Sequence, residues 1–360
     1  MRKVFFNLHL YLALIVGLFV VVVGVTGSIM AFEEEIDHAL NSKLFKVEPR
    51  GERLTPTAIL AAASKAFPGQ KFNTLRLPQT PDETVWFNVK GAQVFLNPYT
   101  GEVIGSRDPK TWLGKIHQIH TNLLIGPAGK MVVVTITAVG LFLTLSGIYL
   151  WWYVRRWTIK WSANWRRILF DMHNAIGIYS AVSLVILCIS GIIIHYDDEI
   201  EQSLHARNGT QKVKKQAPSV VVPGATQITA EQAIANAKAY MPGTKELFVY
   251  LPPNPKGSYY VGLRYPEDLT PGGRSWVNVD QYSGAINNVQ NSRTVAMGTR
   301  AIILNRATHT GDILGVFTKF AFSLSALMLV AQSITGYMLW WKRIQTTKKA
   351  PVEREVETAA

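Results

Sequence analysis

The sequence predicts an α-helical membrane protein: four transmembrane helices in a tandem, parallel duplication, with two outer α+β domains inserted between them. Three observations predict it. Leu10 to Phe32, Met131 to Val154, Ala175 to Ile194 and Phe320 to Trp341 are uncharged apolar runs, each near or above the roughly 20 residues that span a bilayer. The segments between the first and second runs, and between the third and fourth, carry mixed helix and strand patterns. The residues that punctuate one half recur in the other at fixed offsets.

The implied division is 1–32 for the first helix, 33–126 for an outer domain, 127–154 for the second helix and 155–171 for a basic loop. It continues with 172–196 for the third helix, 197–312 for the second outer domain, 313–341 for the fourth helix and 342–360 for a tail. The first run is too long for a signal-peptide core and lacks a small-x-small cleavage site, so it reads as an anchor. Arg2 and Lys3 precede it. Arg155, Arg156, Lys160, Arg166 and Arg167 fill the short loop, and Lys342, Arg343, Lys348 and Lys349 follow the last run. Cationic flanks mark the cytoplasmic side, so both termini are expected there. Trp151, Trp152, Trp340 and Trp341 form an aromatic belt, and both large segments lie outside, in the periplasm of a cell whose inner membrane holds the protein.

Each outer segment opens with a helix and continues as strands. Thr55-Pro56 starts a helix with proline at its first position, Ala58 to Phe67 continues it and Pro68-Gly69 ends it. Strands follow at Lys71 to Leu77, Thr84 to Val89 and Gln93 to Asn97, then the turn Pro98-Tyr99-Thr100-Gly101 and Glu102-Val103-Ile104. In the second segment Thr229 to Tyr240 is the helix. Leu247 to Leu251, Ser258 to Arg264 and Trp276 to Val279 are strands, and Asp280 to Gly284 is the turn.

The repeat is legible residue by residue. His9 and His173 stand 164 positions apart, as do Gly27 and Gly191. His120 and His309 stand 189 apart, and at that offset Lys130 meets Lys319 and Ser146-Gly147 meets Thr335-Gly336. Both halves share one orientation, unlike the inverted repeats of many transporters.

Composition narrows the function. A formal charge of +13 would suit a polyanion, but much of the Lys/Arg flanks apolar runs and no nucleic-acid module is present. The single Cys188 allows no intrachain disulfide or thiolate cluster. No nucleophile elbow, P-loop, His/Glu metal motif, flavin domain or nicotinamide domain appears, so electrons would come from quinol or a partner.

The histidines carry the chemistry. An imidazole near a membrane core is costly unless satisfied, and it is a good axial ligand to haem iron. His9 and His173 each open a helix on the cytoplasmic side, at one depth. His120 and His309 each precede a helix entering from outside, at another. Two haems at those depths would relay electrons across the bilayer. His195, which closes the third helix where the first half has Ala31, competes for the outer level, and His120 lies before the break at Gly126-Pro127. It sits at the outer surface unless its loop folds inward. His117 and Arg306 read as surface residues or propionate partners, Lys130 and Lys319 as snorkelling cations or propionate partners, and His38 and His205 as loop residues. Glycines in the helices allow close approach or make room for a macrocycle.

The chain resembles the PepSY-associated transmembrane proteins, the group that includes iron-regulated membrane proteins and FoxB-type ferric-siderophore reductases. The resemblance rests on Leu8-His9 with Thr26-Gly27, His173 with Ser190-Gly191, His309-Thr310-Gly311, and Thr335-Gly336 with Trp340-Trp341-Lys342. It also rests on the Thr100-Gly101 and Ser283-Gly284 turns of two PepSY-like domains. It implies haem b, expected twice, held by His9, His173, His120 and His309 with His195 as an alternative. It further implies reduction of a ferric siderophore or other ferric chelate in the periplasm. A competing reading is a non-enzymatic membrane protein whose outer domains bind a protein or peptide and regulate a peptidase. A transporter is the weakest reading, because no carboxylate lies in the spans.

Overall fold

The computed structural model describes residues 1–89, 91–215 and 217–357, with the side chains of 346–357 excepted, so Lys348 and Lys349 lie outside the described side chains. The first half runs α1 (Arg2–Met30), α2 (Glu33–Leu40), α3 (Ser42–Phe45), α4 (Pro56–Ala66), β1 (Thr74–Arg76), β2 (Val85–Val89), β3 (Ala92–Leu96) and β4 (Val103–Arg107). Then come α5 (Trp112–Asn122), α6 (Gly126–Trp152), α7 (Trp165–His195) and α8 (Asp197–Arg207). The rest is α9 (Ala230–Tyr240), β5 (Lys245–Tyr250), β6 (Ser258–Arg264), β7 (Ser275–Asp280), β8 (Ile286–Gln290), α10 (Met297–Thr310), a 3-10 turn Asp312–Leu314 and α11 (Val316–Glu357). The chain divides into two compact units. One holds residues 1–33, 112–197 and 305–360; the other holds 34–111 and 198–304.

The first unit is a helical bundle. Four helices, α1, α6, α7 and the Val316–Gln345 part of α11, are long and apolar enough to cross a membrane. Helix α1 packs on α6 and α11, and α7 packs on the same two, so α1 and α7 lie on one diagonal of the bundle. Close approach has a local cause at Gly24, where a Cβ would come within 2.9 Å of Leu329 and 3.2 Å of the Ala326 carbonyl. Helices α1 and α7 begin well before the apolar runs do, at Arg2 and Trp165. His9 and His173 therefore lie about two turns inside their helices instead of opening them. Asn164 caps α7 by accepting from the Arg167 N–H at 3.0 Å.

The second unit is built on one antiparallel sheet in the order β4-β3-β2-β1-β5-β6-β7-β8. The sequence expects separate small domains, but the strands of both segments join where β1 pairs with β5. That pairing removes two exposed sheet edges, which are otherwise sites of unwanted association. Helices α4 and α9 supply one face of the core, with Ile59, Ala63, Ala233, Ala237 and Met241 meeting Leu75, Phe87, Val94, Val249 and Val261. The Thr55 hydroxyl accepts from the Ala58 N–H to start α4, and Thr229 and Gln232 form a capping box on α9. Strand β1 is shorter than Lys71 to Leu77, and β4 extends to Arg107. The sequence reading has no counterpart of β8, Ile-Asn-Asn-Val-Gln, because paired asparagines mask a strand signal.

Candidate functional site

At one end of the bundle His9 of α1 and His173 of α7 face each other across the diagonal, ring centroids 6.5 Å apart. The same end carries Arg2 over the Tyr153 ring, Arg343 over Phe6 and Arg155 over Trp152. A small cleft beside the pair is lined by His9, Gly147, Trp151, His173, Gly177 and Gln332.

His120 and His309 form a second pair, ring centroids 6.2 Å apart. Neither lies on a long helix. The segment carrying His120 folds inward: α5 doubles back along α1, bringing the imidazole to the Val23 carbonyl at 2.9 Å. Helix α10 brings His309 to α7 in the same way, at 2.9 Å from the Ser190 hydroxyl. His9 and Gly27 are 18 positions apart, as are His173 and Gly191. Eighteen residues are about five helical turns, or about 27 Å, so each long helix presents its histidine and its distant glycine on one face.

All four rings are held in one way. Nδ1 of His9 lies 2.9 Å from the Ser146 hydroxyl, which itself donates to the Leu143 carbonyl. Nδ1 of His173 lies 3.1 Å from the Gln332 carbonyl and from the Thr335 hydroxyl, which donates to Ala331. The Ser190 hydroxyl beside His309 donates to Ile186. A carbonyl can only accept, and a hydroxyl whose proton is already given accepts here too. Each Nδ1 therefore carries the hydrogen, and each Nε2 keeps its lone pair, with no hydrogen bond to it among the described residues.

A glycine follows each hydroxyl residue, in Thr26-Gly27, Ser146-Gly147, Ser190-Gly191 and Thr335-Gly336. The Cε1 edge of an imidazole lies over every one. A Cβ would meet His120 at 2.8 Å on Gly27, His309 at 3.1 Å on Gly191, His173 at 3.4 Å on Gly336 and His9 at 3.5 Å on Gly147. The hydroxyl fixes the ring's tautomer, and the glycine lets the ring lie against the helix backbone. These dipeptides are visible in the sequence, but their role as histidine seats needs the fold.

The remaining candidates lie elsewhere. The His195 ring stands edge-on to Tyr196 at 4.6 Å, at the end of α7, and makes no ring contact with His120 or His309. Lys319 pairs with Asp312 at 3.5 Å, whereas Lys130 is exposed. Arg306 pairs with Asp197 at 3.3 Å, and His117 is exposed. His38 stacks on Phe45. His205, expected in a loop, is buried on α8, bonded to Thr210 at 2.7 Å and to Thr299 at 3.1 Å. A further buried group escaped the sequence reading. Asp171 accepts from Arg167 Nε at 2.8 Å and from the Lys160 N–H at 3.3 Å, and so pins the basic loop two residues before His173.

Two facing imidazoles with free Nε2 lone pairs can share one metal ion. Two metal–nitrogen bonds of about 2 Å, extended by a ring radius of roughly 1.1 Å from C–N bonds of about 1.33 Å, place coaxial ring centres about 6.2 Å apart. The observed separations are 6.5 and 6.2 Å. Among the described residues no group of three or more His, Cys, Asp or Glu could hold a bare metal ion. The arrangement therefore suits a metal whose other ligands arrive with it.

A family model described as the PepSY-associated TM region matches residues 6–343. No curated protein matches the chain.

Proposed function

This chain belongs to the PepSY-associated TM family, and we propose that it is a dihaem electron carrier that reduces a ferric chelate outside the membrane. The observation that carries the reading is the two pairs of neighbouring imidazoles, ring centroids 6.5 and 6.2 Å apart, each ring hydrogen-bonded through Nδ1 so that Nε2 is left for a metal. The two imidazole donors of each pair would suit a haem, whose macrocycle would bring the iron's remaining ligands with it. His9 with His173 would hold one haem b, and His120 with His309 the other. When bound, haem iron exchanges single electrons between its ferric and ferrous states.

The protein's own residues orient and insulate. The Nδ1 hydrogen bonds raise the basicity of the ligating nitrogens and lock their rings. The glycine seats keep the helix backbone close to the rings, and the apolar spans exclude water. In this reading the chain is a tandem duplication in a bacterial inner membrane, with the two strand-bearing segments acting as PepSY-like domains in the periplasm. The basic end around Arg2, Arg155 and Arg343 is cytoplasmic, which puts His9 and His173 on that side. A quinol, or another membrane or cytoplasmic donor, delivers the electrons. One quinol gives two electrons and two protons, enough to reduce two chelates from Fe(III) to Fe(II). Oxygen donors hold the hard Fe(III) far better, so reduction releases the iron.

Absorption spectroscopy tests the reading. Protein purified from haem-replete cells should show a Soret band that shifts with dithionite, and a pyridine haemochrome of two haems per chain. H9A or H120A should each remove one haem and leave the other. A colourless protein would sink the proposal. Dithionite-reduced protein mixed anaerobically with a ferric chelate should reoxidise.

A further inference from the structure

The sheet of the second unit has two faces. Helices α4 and α9 cover one. The other carries two groups of rings, one on β2 and β3 and one on β5 to β7. Trp86 lies 6.3 Å from Phe95, Phe248 stacks on Tyr260 at 6.0 Å, and Tyr260 stacks on Trp276 at 5.3 Å. Tyr250 stands 5.7 Å from Tyr260 and is 41% exposed.

Arg76 sits between the two groups. It is directly opposite Trp86 on β2 and Phe248 on β5. Its guanidinium lies 5.4 Å from the Trp86 ring centre and 4.7 Å from that of Phe248. Gly262 makes room for the arrangement: a Cβ there would fall 2.3 Å from the Phe248 ring, which lies flat across β6. Arg76 is half-buried and, among the described residues, has no acidic partner. None of the strand residues on this face of β1, β2, β5 and β6 is acidic; Glu246 points the other way, to Lys238 on α9. Arg274 adds a second positive charge that acts on the Tyr260 phenol.

Ring packing alone accounts for buried Trp276 and Phe95. It does not account for a half-buried cation fixed between two rings, whose guanidinium makes no hydrogen bond among the described residues. A guanidinium offers five N–H donors in a rigid fork, and flanking rings hold it in place while leaving those donors free. Such a surface matches a ligand with flat rings and negative charge.

We propose that this face, centred on Arg76 with Trp86, Phe248, Tyr250 and Tyr260, is the docking site for the ferric chelate, and that it selects anionic chelates built from aromatic catecholate donors. The inference rests on the ferric-chelate reading above. Catecholate rings would stack against exposed Tyr250 and the half-buried rings of Phe248 and Tyr260, and the chelate's net negative charge would meet Arg76.

Gallium(III) replaces iron(III) in the test, because it is not reduced and so separates binding from electron transfer. Detergent-solubilised full-length protein is titrated calorimetrically with gallium tris(catecholate), a trianion, and with the neutral gallium tris(acetohydroxamate). The trianion should bind at least about tenfold more tightly, and R76Q should weaken it about tenfold while leaving the neutral chelate unchanged, as expected for a charge-assisted contact. Equal affinity for the two chelates, no effect of R76Q, or binding of neither chelate would overturn the proposal. Should R76Q lose its far-ultraviolet circular dichroism, the comparison of chelates on the unaltered protein still decides. Reoxidation of reduced haem by ferric tris(catecholate), with gallium binding indifferent to Arg76, would remove this inference and keep the reductase reading. A haem-free protein that binds the trianion through Arg76 would do the reverse.

Discussion

The two histidine pairs reach the same local geometry by different routes. His9 and His173 are carried by the long helices α1 and α7, and their glycine seats lie on α6 and α11. At the other pair the roles are exchanged: α1 and α7 provide the seats Gly27 and Gly191, and the histidines come from the short helices α5 and α10. The first arrangement needs only correct placement along a continuous helix. The second depends on two turns that send the chain back into the next span, and it is packed more tightly, with Cβ clearances of 2.8 and 3.1 Å against 3.4 and 3.5 Å. The His120–His309 pair is therefore the more fragile of the two.

The turns themselves differ. After α5, Leu123 and Leu124 take positive φ values of 51° and 63°, costing on the order of 1 kcal/mol or more each. The Asn122 carbonyl then presses on Gly129 so closely that a Cβ there would lie 1.7 Å from it. After α10, the matching contact is reversed. Gly311, at φ 80°, supplies the small residue, and the Thr318 hydroxyl donates to its carbonyl. G129A should therefore have the largest effect: loss of the His120 seat, an intact His9–His173 pair and, under the dihaem proposal, one haem per chain in place of two. T318V, which removes the hydrogen bond donated to the Gly311 carbonyl and the one accepted from the Leu314 N–H, should cost on the order of 1–3 kcal/mol and, under the dihaem proposal, keep both haems. A haemochrome count on the two variants decides, and two haems in G129A would show that the turn does not hold His120 in place.

How much of this was open to a sequence reader follows from the same difference. The spans, the strands from β1 to β7 and the pairing of His9 with His173 follow from periodicity, run length and repeat offset. These signals are local, or compare one helix with its counterpart. The inward fold of α5 is not local. Gly126-Pro127 announces a break without saying which way the preceding residues turn, and the Gly129–Asn122 contact appears only in three dimensions. Joining the two strand sets into one sheet is likewise decided by β1 and β5, whose sequences, Thr-Leu-Arg and Lys-Glu-Leu-Phe-Val-Tyr, do not reveal each other as partners. His205 looks like a loop residue in sequence because α8 is polar along most of its length, so its burial against Thr299 has no hydrophobic signature.

A smaller perturbation sharpens the contrast in packing. G27A should push His120 out of line, because its Cβ would lie 2.8 Å from Cε1, tighter than real contacts permit. Overpacking of that kind costs typically about 1–3 kcal/mol. G147A, at 3.5 Å from His9, should be accommodated. Under the dihaem proposal, the expected result is a shifted or weakened Soret contribution from one haem in G27A and an unchanged spectrum in G147A. Equal effects would mean that the two seats are equally tolerant, and that the glycines serve helix packing only.

The smallest expected effect compares the two matching turns of the sheet. In the first, the Asn97 side chain accepts from the Tyr99 and Thr100 N–H groups at 2.8 and 3.4 Å. In the second, Asp280 accepts from Tyr282 and Ser283 and, with its other oxygen, from the Val220 N–H at 2.8 Å. Burial alone would raise the Asp280 carboxyl, but these N–H groups, Ser283 foremost, outweigh it and hold it down at about 2. A carboxyl held below its unfolded value of about 3.9 contributes stability that is present above that value and is lost as pH falls through about 2. D280N should remove this pH-dependent contribution, flattening the acid unfolding curve between about pH 4 and 2. At neutral pH it should cost on the order of 1 kcal/mol, because the asparagine N–H₂ would face the Val220 N–H, a contact that Asn97 has no counterpart to. Acid titration of the full-length variant, followed by far-ultraviolet circular dichroism, measures both effects. An unchanged acid profile would mean that the two turns, despite the different residues at their heads, respond to protons alike.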